Sequence, residues 1–229
     1  MRFPKHTFKE LGGFITFIKR YPNQNWIYRG QANIKNSLLP KAGRQEYRLK
    51  GIPAYPDKDI GRFQRWRHQA VAFSEQLPEN EFECLALAQH YGLATRLLDW
   101  TANPLVALFF ATEETNPKTD GAVFLYRPQA TVSPNEKELK NCLNVMRYNP
   151  RPIDQRILVQ DGVFTIHPKP EEPLIANVVI RVPAKEKHNI QRQLRDIGIH
   201  KRILFPDLEG LSESINWSTR DIVARTKQF

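Results

Sequence analysis

The run Leu105-Val106-Ala107-Leu108-Phe109-Phe110-Ala111 is apolar on every face, and it limits what this chain can fold into more than any other feature. A helix with no polar side must lie inside the protein, packed all round by other elements. Its start is well marked, since Asn103 is a good N-cap and Pro104 suits the first helical position. The run is far too short to cross a membrane. Immediately before it, His90, Thr95, Arg96, Asp99, Thr101 and Asn103 crowd polar groups into a segment that must itself be largely buried. Buried polar groups without partners cost roughly 1–3 kcal/mol each. These residues therefore either hold one another in a structural network or line a pocket.

Around this centre the pattern alternates between helix and strand. Thr7-Phe8-Lys9-Glu10 is a capping-box sequence, and Phe8, Leu11, Ile15 and Ile18 form a helical stripe weakened by Gly12 and Gly13. Residues 22–25 predict a turn, and Trp26 to Arg29 a short strand ending at Gly30. Phe63, Trp66, Ala70 and Phe73 predict a helix broken by Pro78; Cys84, Leu87, Ala88 and Tyr91 predict another. Gly121 to Tyr126 and Leu174 to Val182 predict strands, with a turn at Pro134-Asn135 between them. Pro183 opens a helix closed by Gly198. Arg202 to Phe205 then predicts a strand, Pro206 to Gly210 a turn and Leu211 to Trp217 a last helix. No repeat, linker or composition shift divides residues 1–229. The expectation is one mixed α+β domain with a central, mostly antiparallel or split sheet flanked by helices.

The 41% hydrophobic and 25% charged shares are ordinary for a globular protein. No basic-then-apolar segment opens the sequence, so no secretory signal is expected. Cys84 and Cys142 lack metal-ligand spacing with each other or with the histidines. This predicts a cytoplasmic protein with reduced thiols, no metal site, and Cys84 as buried filler. There is no Gly-x-Gly, no Gly-Lys-Ser/Thr and no Gly-x-Ser-x-Gly, which removes the common nucleotide-loop and serine-hydrolase classes. The net charge of +10 is concentrated between Lys41 and Arg67 and again from Arg181 to Arg202. Such an excess favours a polyanionic partner: RNA or DNA, a phosphorylated cofactor, or an acidic antitoxin or inhibitor protein. Simple solubility explains it equally well. Arg62, Arg65 and Trp66, on one predicted helix, are the candidate contacts to a nucleic acid or other acceptor.

Two places offer chemistry. Arg29 ends a strand beside Gly30, where a fork of donors suits a phosphate or ribose; the structural alternative is an internal salt bridge, for instance to Asp99. Asp207 and Glu209 sit in the turn before the last helix, where carboxylates could stabilise a developing cation. Their structural alternative is a cap from Asp207 and a solvated Glu209 near a helix N-terminus. Gln160 and His167 flank a predicted turn and strand, with nothing specific in their spacing, and His167 is expected to be exposed or satisfied in the core.

Tyr28-Arg29-Gly30-Gln31, Leu38-Leu39-Pro40 with Arg44, the block from Leu85 to Gly92, Thr95 to Thr101 and Asn103-Pro104-Leu105 together resemble the FRG domain family, over about residues 26–111. Residues 112–229 are then expected to complete the same fold. The Arg-Gly strand end is in turn similar to the first motif of arginine-type ADP-ribosyltransferases. That resemblance implies an ADP-ribosyltransferase-like fold with NAD as substrate, bound through Arg29, Gly30, Gln31, His90, Thr95, Arg96, Asp99 and Thr101. Glu209 or Asp207 would be the late catalytic carboxylate, acting with Arg29. It also implies a toxin or phage-defence effector that cleaves the nicotinamide–ribose bond and modifies a nucleic acid or its associated target. The chain departs from that pattern in having no plain Ser-Thr-Ser and no Gln-x-Glu. The competing expectation is a non-enzymatic binding module whose polar core is structural, with Arg96 pairing Asp99 and Asn103 capping.

Overall fold

A computed structural model describes residues 6–22, 25–48, 58–74, 76–113, 118–133, 135–152 and 154–226. Among these residues the architecture is α+β, with seven strands in one open mixed sheet and eight α-helices. The strands are β1 (His6–Thr7), β2 (Ile27–Gln31), β3 (Leu97–Thr101), β4 (Gly121–Tyr126), β5 (Met146–Tyr148), β6 (Gly162–Ile166) and β7 (Val178–Val182). Their order across the sheet is β1-β7-β4-β2-β3-β6-β5. All pairings are antiparallel except that of β1 with β7. The helices are α1 (Leu11–Ile18), α2 (Lys58–Ala70), α3 (Glu81–His90), α4 (Pro104–Thr112), α5 (Gln155–Val159), α6 (Lys187–Asp196), α7 (Lys201–Leu204) and α8 (Leu208–Thr226).

Alternation along the strands sorts the core onto two faces. On one face, Tyr28, Val123, Leu125, Ile180 and Val182 pack beneath α1, α4 and α6. Leu97, Phe164 and Ile166 continue that face under Phe63 of α2 and Phe82 and Leu85 of α3. The other face carries Ile27, Leu98, Trp100, Ala122, Phe124 and Val163, covered by extended chain bearing Leu38 and Leu174. The apolar run forms α4, the interior helix expected of it, and the Asn103 side chain accepts from Leu105 N at 2.9 Å. This helix rests its backbone directly on the sheet. A Cβ on Gly30 would lie 1.8 Å from Ala107 O, and one on Gly121 would lie 1.9 Å from Ala111 O.

Several local expectations are corrected. Thr7 does not cap α1: it lies in β1, in register with Arg181, and the helix begins only at Leu11, whose N–H donates to Gln193 Oε1 at 2.9 Å. The helix through Phe63 and Trp66 ends at Ala70, leaving Phe73 exposed beyond it. Only the second half of the predicted strand from Leu174 joins the sheet, because Leu174 turns to pack on the reverse face. Arg202 to Phe205 is not a strand: Arg202 to Leu204 belong to the single turn of α7, and Phe205 is its C-cap. The helical spacing sets the Lys201 ammonium 4.2 Å from the centre of the Phe205 ring, and Phe205 N donates to Lys201 O at 2.8 Å. The last helix starts at Leu208 and runs to Thr226, so the expected turn shrinks to its first residues. The turn at Pro134-Asn135, that at residues 22–25 and the middle of the first basic stretch (49–57) involve positions outside the described residues.

Candidate functional site

Asp99 and Thr95, from the polar segment ahead of α4, form a connected network with Arg29 and Gln89. Strands β2 and β3 share a single ladder pair, Tyr28 with Thr101. Beyond it the Arg29 guanidinium reaches across, Nη1 donating to Asp99 O at 2.5 Å and lying 3.5 Å from Asp99 Oδ2. The other carboxylate oxygen of Asp99 accepts from Gln89 Nε2 at 2.7 Å, in the last turn of α3. Gln89 Oε1 in turn accepts from the Thr95 hydroxyl, and Thr95 Oγ1 accepts from Leu97 N at 3.1 Å. The network runs from deep to open: the Arg29 side chain is 17% exposed and that of Asp99 62%. Burial pulls the Arg29 pKa below its ordinary value; Asp99 opposes this, and the neighbouring Arg44 adds to it. Arg29 Nε and Gln31 Oε1 are buried without partners among the described residues.

Asp99 opens onto a cleft of about 190 Å³. Gln89, His90 and Trp100 stand on its near side; Arg156, Gln160 and Phe205 stand on the far side. His90 Nε2 is 3.1 Å from Asp154 Oδ2. Asp154 caps α5, its other oxygen accepting from Arg156 N at 2.5 Å, so the carboxylate is fixed while it orients the imidazole. Arg156 is ion-paired to Asp207 and lies 5.2 Å over the Phe205 ring. Asp207 also accepts from Gly210 N at 2.7 Å at the start of α8. That N–H first, and then Arg156, hold the Asp207 carboxyl below the usual carboxylate range. Gln160 donates to Leu204 O at 2.8 Å, which ties the cleft floor to α7. Among the described residues no group of three or more His, Cys, Asp and Glu could hold a metal ion.

Residues 24–120 match the family model of the FRG domain. The chain carries an FRG domain. No curated protein and no solved structure matches the chain significantly. The FRG domain supplies only the near side of the cleft, through Gln89, His90 and Asp99. Asp154, Arg156, Gln160 and Phe205 all come from the chain beyond it.

Within the FRG domain the structure brings Arg29, Thr95, Asp99 and His90 to the cleft or its supporting network. Gly30 instead faces the backbone of α4, and Gln31 shares the strand of Arg29. Arg96 does not pair with Asp99: its Nε and Nη2 form a two-pronged ion pair with Asp59 of α2, at 2.7 and 2.9 Å, and both side chains are nearly buried. Thr101 Oγ1 donates to Gln160 O at 2.6 Å and accepts from Asn103 N at 2.9 Å. Arg62 donates to Ala94 O and Tyr47 O and lies over the Tyr47 ring, while Arg65 is exposed and Trp66 packs on the α2–α3 core. Asp207 and Glu209 occupy the start of α8, Glu209 exposed, and neither lines the cleft. Asp59, Asp154 and Arg156 were not singled out from the sequence. Asp154 directly before a short helical run was the signal for the second, as an N-cap.

Proposed function

We propose that the cleft beside Asp99 receives the nicotinamide–ribose end of NAD and that the protein is an ADP-ribosyltransferase-like effector, of toxin or phage-defence type. The observation that carries this reading is the Asp99 carboxylate, held by Arg29 and Gln89 yet largely open to the cleft. A fixed anion aimed at a site of developing positive charge is what cleavage at ribose requires. The bond from ribose C1′ to the nicotinamide nitrogen breaks, and its electron pair leaves with neutral nicotinamide. The cationic ribose forms against Asp99. An acceptor oxygen or nitrogen, on a nucleic acid or a target bound to one, then bonds to C1′ and gives its proton to His90, which Asp154 orients. Arg156 on the far side suits the phosphates, although part of its charge is already met by Asp207. At about 190 Å³ the cleft holds only one end of a dinucleotide, leaving the rest against the open side.

One observation favours a second reading, a non-enzymatic module that binds nucleic acid or protein. Thr95, Arg96, Thr101 and Asn103, and Arg29 through Nη1, spend hydrogen bonds inside the fold. Asp99→Asn separates the two, because the amide keeps the shape and much of the bonding. The transferase reading expects NAD to raise the wild-type melting temperature, and nicotinamide release to fall about 10²- to 10³-fold in the variant with folding intact. If wild-type protein neither binds NAD nor releases nicotinamide, with RNA and DNA present, the binding-module reading replaces it.

A further inference from the structure

A second and larger cavity, about 470 Å³, lies on the other side of α7, between α6, α8 and the end of α4. None of the polar residues of the Arg29–Asp99 network lines it. Its charges divide unequally. Lys201 Nζ lies 2.7 Å from Glu113 Oε1 and 3.1 Å from Glu213 Oε2, a triad that keeps one net negative charge. Two guanidiniums are left over. Arg195 donates to Ser214 Oγ at 3.0 Å and lies 5.4 Å over the Trp217 ring, but pairs with no carboxylate among the described residues. The Arg220 side chain forms no ion pair or hydrogen bond among them and is exposed. Glu213, Trp217 and Arg220 follow one face of α8 at helical spacing, which aims Arg220 along the same wall.

The remaining lining is neutral or apolar. Phe109 and Ile199 give it apolar surface. The adjoining His200 has a buried Nδ1 with no partner among the described residues. Burial, with Arg195 and Arg202 nearby, lowers the pKa of His200 and favours its neutral form.

We propose that this cavity is a binding site for a small organic phosphate, with Arg195 and Arg220 taking the phosphate oxygens and Phe109 and Ile199 the organic body. Guanidinium forks match phosphate geometry, and with Arg195 and Arg220 outside the Lys201 triad the lining carries a net positive charge that favours an anion. The volume falls in the range of ordinary small-molecule sites. This inference is independent of the NAD reading.

The test is calorimetric titration of the whole chain with adenosine 5′-monophosphate, and separately with inorganic phosphate, at constant ionic strength. Saturable nucleotide binding tighter than that of inorganic phosphate is expected. Arg220→Gln, at an exposed residue with no partner to lose, should weaken it about tenfold or more. Glu213→Gln should tighten it, since one competing carboxylate is removed. Arg127→Gln, at an exposed position outside the cavity, should leave it unchanged. Equal weakening by Arg127→Gln would show attraction to the overall positive charge and overturn the proposal. So would loss through Arg156→Gln but not Arg220→Gln, which would move the nucleotide to the cleft. Absence of saturation in the millimolar range, or equal affinity for inorganic phosphate, overturns it as well.

Discussion

His167 shows how a single side chain can make this fold sensitive to acid. Trp100 Nε1 donates to Thr165 Oγ1 at 2.9 Å, which leaves the hydroxyl proton free to be given to His167 Nε2, 2.8 Å away. That arrangement needs a neutral imidazole, and burial pushes the His167 pKa down to about 4. The unfolded chain, with His167 near its ordinary value, binds this proton first as the pH falls. Stability is therefore fully present above about pH 6.5 and is lost progressively down to about pH 4, by on the order of 3 kcal/mol. Urea unfolding of wild type and His167→Gln across that window should show the slope in the first and its reduction in the second. The sequence allowed His167 to be exposed or satisfied in the core, and the second is what the structure shows. It also allowed Arg29 to pair with Asp99, which the geometry provides. It could not show that Arg96 turns to Asp59, because a contact across 37 positions leaves no trace in local spacing.

At the level of elements, glycine positions decide where helix and sheet may touch. Gly30→Ala would drive a Cβ into Ala107 O and lift α4 off β2, so a loss above about 3 kcal/mol, or failure to fold, is expected. Gly61, inside α2, has nothing within 4 Å of an added Cβ. Gly61→Ala should therefore stabilise by up to about 1 kcal/mol through helix propensity. Thermal unfolding of the two variants checks both signs in one experiment. The same contrast explains which elements the sequence disclosed. Helix α4 was legible because its cap, its proline and its unbroken apolar run all agree. Helix α7 was not, since one turn of Lys-Arg-Ile-Leu carries no period that separates it from a strand. Helix α8 was read too short because Leu208, Ile215 and Ile222 point outward, which blurs its buried stripe.

At the scale of the whole molecule, one sheet joins all three apolar clusters, with β2, β3 and β4 contributing to both faces. Trp26 packs with the first cluster, Trp66 with the second, Trp100 in the third, and Trp217 lies on α8. The chain read as one domain should then lose tryptophan fluorescence and far-ultraviolet ellipticity at one urea midpoint, and separated midpoints would divide it. The FRG domain's side of the cleft was legible, because its residues are close together in sequence. The far side was not, because Asp154 to Phe205 is assembled from a cap, a short helix and a turn with weak patterns. Phe205 closes that side, with Arg156 over its ring in the cleft and Lys201 over the same ring toward the larger cavity. The ring is a wall of one room and the seat of Lys201, which lines the other, so trimming it disturbs both at once. An altered activity in a Phe205 variant thus identifies neither room, and only changes at Asp99 or Arg220, each facing one side alone, can tell them apart.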